Sequence, residues 1–288
     1  MIGCFIARAK REKHMKIALM GAGGKMGARL ATNLKGTSYE VAHVEVSEAG
    51  RSRLKDALGI DCVDVDTALN GAKAVILAVP DTAILKVSAS IIDKIARGTI
   101  VIALDAAAPF AGHLPERDDI TYFVTHPCHP PIFNDETTAA GRHDHFGGIA
   151  AAQSIVSALM QGPEEHYAVG EAIAKTIFKP ILRSHRVTVE HMALLEPGLS
   201  ETVCATLLVV MRDAMEEVVR RGVDPVAARD FLLGHMNVLA SVVMGEVDGV
   251  FSDACNKAIA NGKPRLMRDD WLGVFEPKEI AESIQRIT

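Results

Sequence analysis

The chain has 288 residues, 49% hydrophobic and 23% charged, enough to bury one large core or two ordinary ones. A formal charge of -5 argues against nucleic acid or an anionic membrane as partner and leaves small molecules as the expected ligands. Five cysteines (Cys4, Cys62, Cys128, Cys204, Cys255) are odd in number, widely spaced and without a C-x-x-C pair, which argues for reduced thiols in a reducing compartment and against a structural zinc site.

Residues 1–14 read as an extension in front of the domain: Met1–Ile6 is apolar but too short for a signal-peptide core, and Arg8–His14 is basic. Poor order is expected there. The first element proper is Lys16–Met20, a short apolar strand that runs through the glycines of KIALMGAGGKMG into a helix over Lys25–Leu34. That sequence leaves backbone N–H groups at a helix start, where the dipole favours an anion such as a diphosphate. The strict G-x-G-x-x-G spacing is broken at Met26, whereas G-x-x-G-x-x-G is met by Gly21, Gly24 and Gly27. Gly21, Ala22, Gly23, Gly24, Lys25 and Met26 are therefore expected to hold a dinucleotide. Tyr39–Val46, the next strand, carries Glu45 where such folds place the acid that accepts the adenosine ribose hydroxyls. A carboxylate there repels a 2′-phosphate, so NAD is expected over NADP; Arg51 and Arg53 are the residues that could reverse this.

Up to about residue 126, apolar strands alternate with amphipathic helices, the pattern of a parallel sheet covered on both faces. Strands at Lys16–Met20, Tyr39–Val46, Asp61–Asp64, Ala74–Val79, Thr99–Leu104 and Ile120–Thr125 give a doubly wound Rossmann sheet of order 3-2-1-4-5-6. Ligands bind such sheets at the carboxyl ends of the strands. Pro80 and Asp81 should accordingly lie along the cofactor, with Asp81 or Thr82 capping the following helix. Asp105–Pro109 offers small residues for a close approach. Residues 125–148, THPCHPPIFNDETTAAGRHDHFGG, form a long loop stiffened by prolines, carrying His126, His129, His143 and His145, and a loop of this length is expected to be functional.

Ser154–Gly162 and Ile181–Val189 read as further strands, and Pro163–Phe178 as a helix. Beyond Glu190 only helices remain, at Glu201–Arg221, Asp224–Gly245, Ser252–Asn261 and Pro277–Gln285. The fold class is thus α/β, a Rossmann domain over 15–188 followed by an all-α domain over 189–288. The longest apolar run, Val203–Met211, falls short of the roughly 20 residues of a membrane span, so a cytoplasmic protein is expected. Being apolar nearly all round, that run predicts a homodimer, with burial against its own nucleotide domain as the alternative.

GAGGKMG, ILAVPDTAI and the His126-Pro127 pair resemble the 6-phosphogluconate dehydrogenase-like superfamily, to which hydroxyacid, prephenate and ketol-acid reductoisomerase families are related. CHPPIFNDE after His126-Pro127 departs from the prephenate dehydrogenases, and HMALLEPGLSETV departs from the lysine-and-asparagine helix of the 6-phosphogluconate and β-hydroxyacid enzymes. HPCHPPIFNDE together with LLEPGLSE is most similar to the D-apionate oxidoisomerase family. The resemblance implies NAD-dependent oxidation of a branched sugar acid at its 2-hydroxyl, coupled to an α-ketol shift of a hydroxymethyl group.

Such a reaction asks for a base for the hydroxyl proton, a nicotinamide for the hydride and a Lewis acid for the shift. The expected catalytic residues are His126, His129 and Glu196. His129 and Glu196 are the expected ligands of a divalent zinc or magnesium ion, with His126 as third ligand or general base. Glu190 with His191, and Glu201, are alternative carriers. Cys128 is a poor nucleophile candidate, because hydride transfer from a hydroxy acid needs no covalent step. The substrate carboxylate needs a cation, and Lys175, Lys179, Arg183, Arg186, Lys263, Arg265 and Arg268 are candidates that spacing does not separate. A plain hydroxyacid dehydrogenase and a non-catalytic NAD-binding regulator are the competing readings.

Overall fold

The computed structural model describes residues 14–288, so all but the last residue of the expected N-terminal extension lies outside the described residues. Seven strands, β1 (Lys16–Met20), β2 (Glu40–Val44), β3 (Ala74–Leu77), β4 (Ile100–Ala103), β5 (Thr121–Pro127), β6 (Gln153–Gln161) and β7 (Ile181–Arg186), form one sheet ordered β2-β1-β3-β4-β5-β6-β7. Every neighbouring pair is parallel except β5 and β6. The central β3 and β4, AVIL and IVIA, are buried along their whole length, which is why they are continuously apolar and not alternating.

Asp61–Asp64 is not a strand, which removes the outermost member of the expected sheet. A single backbone bond, Val63 N–H to the His43 carbonyl at 2.9 Å, joins it to β2. Its acids are engaged elsewhere: Asp61 pairs with Lys55 at 2.6 Å, and Asp64 accepts the Thr67 N–H at 2.8 Å to cap the next helix.

The sheet is flanked by α1 (Lys25–Leu34), α2 (Glu48–Leu58), α3 (Val65–Leu69), α4 (Asp81–Ile91), α5 (Ala107–Phe110), α6 (Ala139–His143) and α7 (Glu165–Ile177). One face packs Leu19, Ile76 and Phe123 under Leu30 of α1 and Ile173 of α7; the other packs Val75 and Leu77 under Ile84 and Ile91 of α4. Asp81 does not cap α4: Pro80 occupies the cap without a side-chain bond, and Asp81 opens the helix itself.

Beyond the sheet, α8 (Val189–Ala193) continues into a π-helical segment (Leu194–Ala205) and then α9 (Thr206–Arg220). The helix expected to open at Glu201 therefore begins at Val189. Pro197, which would break an α-helix, lies inside the π segment, where the register is already altered; Thr202 Oγ1 donates to its carbonyl at 2.6 Å. α10 (Pro225–Val243), capped by Asp224 through the N–H groups of Val226 and Ala227 at 2.9 Å, α11 (Asp253–Leu266) and α12 (Pro277–Ile287) complete the chain.

α9 packs on α10, and neither α9 nor α11 contains a buried residue. Burial of Val203–Met211 against its own nucleotide domain is not what the chain does: Leu208, Val209 and Val210 are each nearly half exposed. Two helical stretches, Val189–Arg220 and Pro225–Val243, are long and apolar enough to cross a membrane by length and composition, a property that the shorter run Val203–Met211 does not reveal.

Candidate active site

Two neighbouring features occupy the carboxyl edge of the sheet. The first is a cleft of about 380 Å³ lined by Gly21, Gly24, Glu45, Val46, Arg53 and Pro80 among others. Gly21 has φ +74°, and a Cβ there would lie 2.4 Å from the Ala78 carbonyl oxygen, so only glycine lets the ends of β1 and β3 meet this closely. Within the turn the amides are already engaged. Ala22 donates to the Val44 carbonyl at 3.0 Å, Gly23 to Glu45 Oε2 at 2.9 Å, and Gly24 to the Gly21 carbonyl at 3.0 Å.

The amides without a partner are those of Lys25, Met26 and Gly27, in the first turn of α1, which no side chain caps. They lie at the helix start, where the sequence predicts an anion to bind. Glu45 also accepts the Ser47 N–H through Oε1 at 2.8 Å, so its carboxylate is held in place at the cleft wall. Arg51 donates to the carbonyls of Glu45 and Val46, and Arg53, in the cleft lining, to that of Gly23 at 2.7 Å, so in this structure both guanidinium groups bond backbone.

The second feature is a group of three side chains from three elements: Asp105 just after β4, His126 on β5 and Glu196 in the π segment. One ligand atom from each lies within 4.8 Å of the other two. His126 Nε2 is 2.9 Å from Glu196 Oε1 and 3.9 Å from Asp105 Oδ2. Asp105 Oδ1 accepts the Ala107 N–H at 2.6 Å, which fixes its carboxylate. Two residues on, Gly198 lies close against α12: a Cβ there would meet Ile280 Cδ1 at 3.0 Å.

The electrostatics of this group are unbalanced. Burial raises the Glu196 pKa and the charge of Asp105 raises it further, against the pull of His126. Asp81 is pushed up to about 6 by burial and by the charges of Asp105 and Glu201, and Glu201 is raised by burial and Asp105. Burial alone would lower the His126 pKa, but the hydrogen bond and charge of Glu196, with Asp105, raise it. Glu196 Oε2 is buried with no partner among the described residues. An orphaned carboxylate oxygen, crowded acids and converging ligand atoms fit a divalent cation held by Asp105, His126 and Glu196.

His126 and Glu196 thus come together as expected, and Asp105 joins them. Its position directly after a sheet strand was the signal that could have found it. His129 is not in this group. It lines the adjoining pocket of about 280 Å³ with His126, Cys128, Glu196, Leu199 and Ser200, its ring edge-on to that of His126 at 5.9 Å. Its φ is +60°, and its Nδ1 lies 2.9 Å from the Phe146 carbonyl oxygen. Glu196 is thus hydrogen-bonded to His126, while His129, the ligand expected beside it, lies in the same pocket with its Nδ1 turned to the loop carbonyl.

The rest of the histidine-rich loop is tied down rather than catalytic in layout. Asp144 pairs with Arg29 of α1 at 2.6 Å and accepts the N–H groups of Ile149, Ala150 and Ala151, while Glu136 accepts that of Ala152 at 2.7 Å. His143 bonds the Ala139 carbonyl, and its ring and that of His145 stand edge to face outside the three-residue group. Glu190 faces a different cavity, with Arg186 and Thr188. The Cys128 thiol is raised by burial, which keeps it from the thiolate form.

In sequence, the chain is 73% identical over 272 residues to the D-apionate oxidoisomerase of Rhizobium rhizogenes, a match covering 94% of this chain and 99% of that protein. The chain belongs to the D-apionate oxidoisomerase family. The Cupriavidus necator member of this family is 67% identical, over 95% of this chain and 99% of its own. Residues 134–288 match the phosphogluconate dehydrogenase (decarboxylating) C-terminal family, and residues 16–108 match the family of NADP oxidoreductases, coenzyme F420-dependent. The crystal structure of a semialdehyde dehydrogenase NAD-binding protein from Cupriavidus necator, in complex with calcium and NAD, superposes with a TM-score of 0.94 at 67% identity, covering 95% of this chain and 99% of that one. The family resemblance read from HPCHPPIFNDE and LLEPGLSE is confirmed, as is the Rossmann fold.

Proposed function

We propose that this chain is an NAD-dependent oxidoisomerase that converts D-apionate to 3-oxo-isoapionate. The observation that carries this reading is the convergence of Asp105, His126 and Glu196 beside the dinucleotide cleft, an ion-ready acid cluster that simple hydride transfer does not require. The reading is supported by the names of the 73% and 67% identical relatives and by NAD and calcium in the similar crystal structure. In the reaction, hydride leaves C2 for the nicotinamide and the 2-hydroxyl loses its proton. The hydroxymethyl group then moves with its bonding pair from C3 to C2; the C3 hydroxyl loses a proton to become a carbonyl, and the C2 oxygen regains one.

His129 is suited to moving these protons. A carbonyl oxygen only accepts, so the bond to Phe146 puts the proton on Nδ1 and leaves the Nε2 lone pair at the pocket wall as a general base. Asp105, His126 and Glu196 would hold a divalent cation, which when bound supplies Lewis acidity for charge that builds on the migrating system's oxygens. Two carboxylates and one imidazole favour a hard, oxygen-seeking ion, and magnesium over zinc. Glu45 and the first turn of α1 serve NAD, with the carboxylate disfavouring a 2′-phosphate.

The helical half belongs to the same proposal. Exposed Leu208, Val209, Phe231 and Val238 on α9 and α10 would be covered by a second copy in a homodimer. Arg212, Asp213, Glu216 and Glu217 on α9, which form ion pairs along it, suit a protein interface bordering water better than lipid, and a cytoplasmic enzyme follows. Incubation with NAD, magnesium and D-apionate tests the function: NADH and a rearranged carbon skeleton by NMR are expected. NADH with an unrearranged skeleton would make the protein a plain dehydrogenase.

A further inference from the structure

The acids around His126 pose a problem for an anionic substrate. Asp105, His126 and Glu196 are committed to the proposed cation, and Asp81 and Glu201 beside them are acids, so no protein cation on that side of the pocket is left to hold the sugar carboxylate. The register of the sheet shows where the opposite charge lies. His126 on β5 pairs with Val156 on β6, and Val156 pairs with His185 on β7, so the three stand in one row across the sheet.

They also share a face. Val124 and Val156 pack on Met192 of α8, whereas Phe123 and Ile155 pack under α7 on the other side. On β7, Ser184 bonds Glu171 of α7 and Arg186 lies over the Tyr167 ring, which places both on the α7 face. The β6–β7 register shifts by one between Ile181 and Ser184, both on the α7 face, so the bulge leaves Leu182 and Arg183 between them toward the other face; His185 shares that face with its row partners His126 and Val156, which line the pocket. Cys128, also in that pocket wall, bonds through its N–H to Ser154 of β6 at 2.8 Å, one step along from the Val156 row toward Arg183. The Arg183 charge reaches this thiol, opposing the rise that burial imposes on it.

Arg183 forms no side-chain hydrogen bond or ion pair among the described residues, unlike half of its six competitors. Lys175 pairs with Glu171, Arg186 with Glu164 and Arg268 with Asp270. Lys263 and Arg265 sit on α11, away from the sheet, and Lys179 precedes β7, where its carbonyl meets Asn33 of α1.

We infer that Arg183, seconded by His185, forms a carboxylate subsite at the β7 edge of the pocket, opposite the acid cluster. The substrate would lie across β5 and β6 with its carboxylate on the guanidinium and its hydroxyls toward Asp105 and Glu196. The inference rests on the oxidoisomerase reading of this pocket, and its test separates the two. Steady-state kinetics with D-apionate on Arg183→Gln should show KM raised about 10- to 100-fold, the effect of losing a charge-assisted pair, with KM for NAD unchanged and kcat within about threefold. Arg183→Lys should recover part of the loss, and the preference of the wild-type enzyme for D-apionate over its neutral amide should vanish in Arg183→Gln. Unaltered KM in Arg183→Gln, or a KM for NAD that rises alongside, overturns the subsite alone. A wild-type enzyme that reduces no NAD with D-apionate overturns the functional reading and the subsite with it.

Discussion

The glycine turn and the acid cluster lie on the same sheet edge, yet they differ in how far their polar groups are satisfied by the chain itself. Around the turn, Ala22, Gly23 and Gly24 each have a backbone or carboxylate partner, and Glu45, Arg51 and Arg53 are all bonded within the loop. At the cluster, Glu196 Oε2 has none among the described residues, and Asp81, Glu196 and Glu201 are all shifted toward protonation. The polar groups of the first region are already held within the chain. The second holds acids at a distance where their charges conflict, a conflict that the proposed cation would resolve.

This contrast can be broken most sharply with a chelator. Exhaustive metal removal should abolish turnover while NAD titration, followed by fluorescence or calorimetry, stays within about twofold; magnesium should restore activity. Parallel loss of NAD binding would show that the two sites are not separable. Glu196→Gln is next. Outer-shell partners of metal ligands already cost about 10- to 100-fold, so this ligand change should lower kcat/KM by more than about 100-fold, again without weakening NAD.

Glu45→Ala should act in the opposite sense, weakening NAD by about tenfold through lost ribose and Gly23 contacts while leaving metal binding intact. Equal NAD affinity in this variant would remove Glu45 from the cofactor site. The smallest effect concerns pH. Asp81 has a folded pKa near 6, above its ordinary value, so the native state favours its protonated form. That contribution is present at low pH and is lost as pH rises through about 6. Asp81→Asn should therefore raise the melting temperature of metal-free protein by roughly a degree or two at pH 7 and by less at pH 5. A stabilisation that is larger at pH 5 would contradict the like-charge account.

What the sequence made readable follows the same division. Period-two and period-3.6 patterning placed β1, α1 and the glycine turn, because those elements are fixed by local chemistry. Asp61–Asp64 misled because two apolar residues between two acids satisfy a strand pattern, whereas the acids are better used in capping α3 and pairing with Lys55. That His126, and not His129, lies against Glu196 was not legible. It depends on a positive φ at His129 and on a carbonyl 17 residues further along. Glu196 was found, but not its setting: a helical turn that admits Pro197 and rests Gly198 against Ile280 is decided by packing with the far C-terminus.

Calorimetric titration of magnesium into the NAD-loaded protein, comparing the natural chain with Asp105→Asn and Glu196→Gln, tests the central claim most directly. One ion per chain is expected, with affinity reduced at least about tenfold in either variant. Equal affinity in all three proteins would contradict a cation held between Asp105, His126 and Glu196.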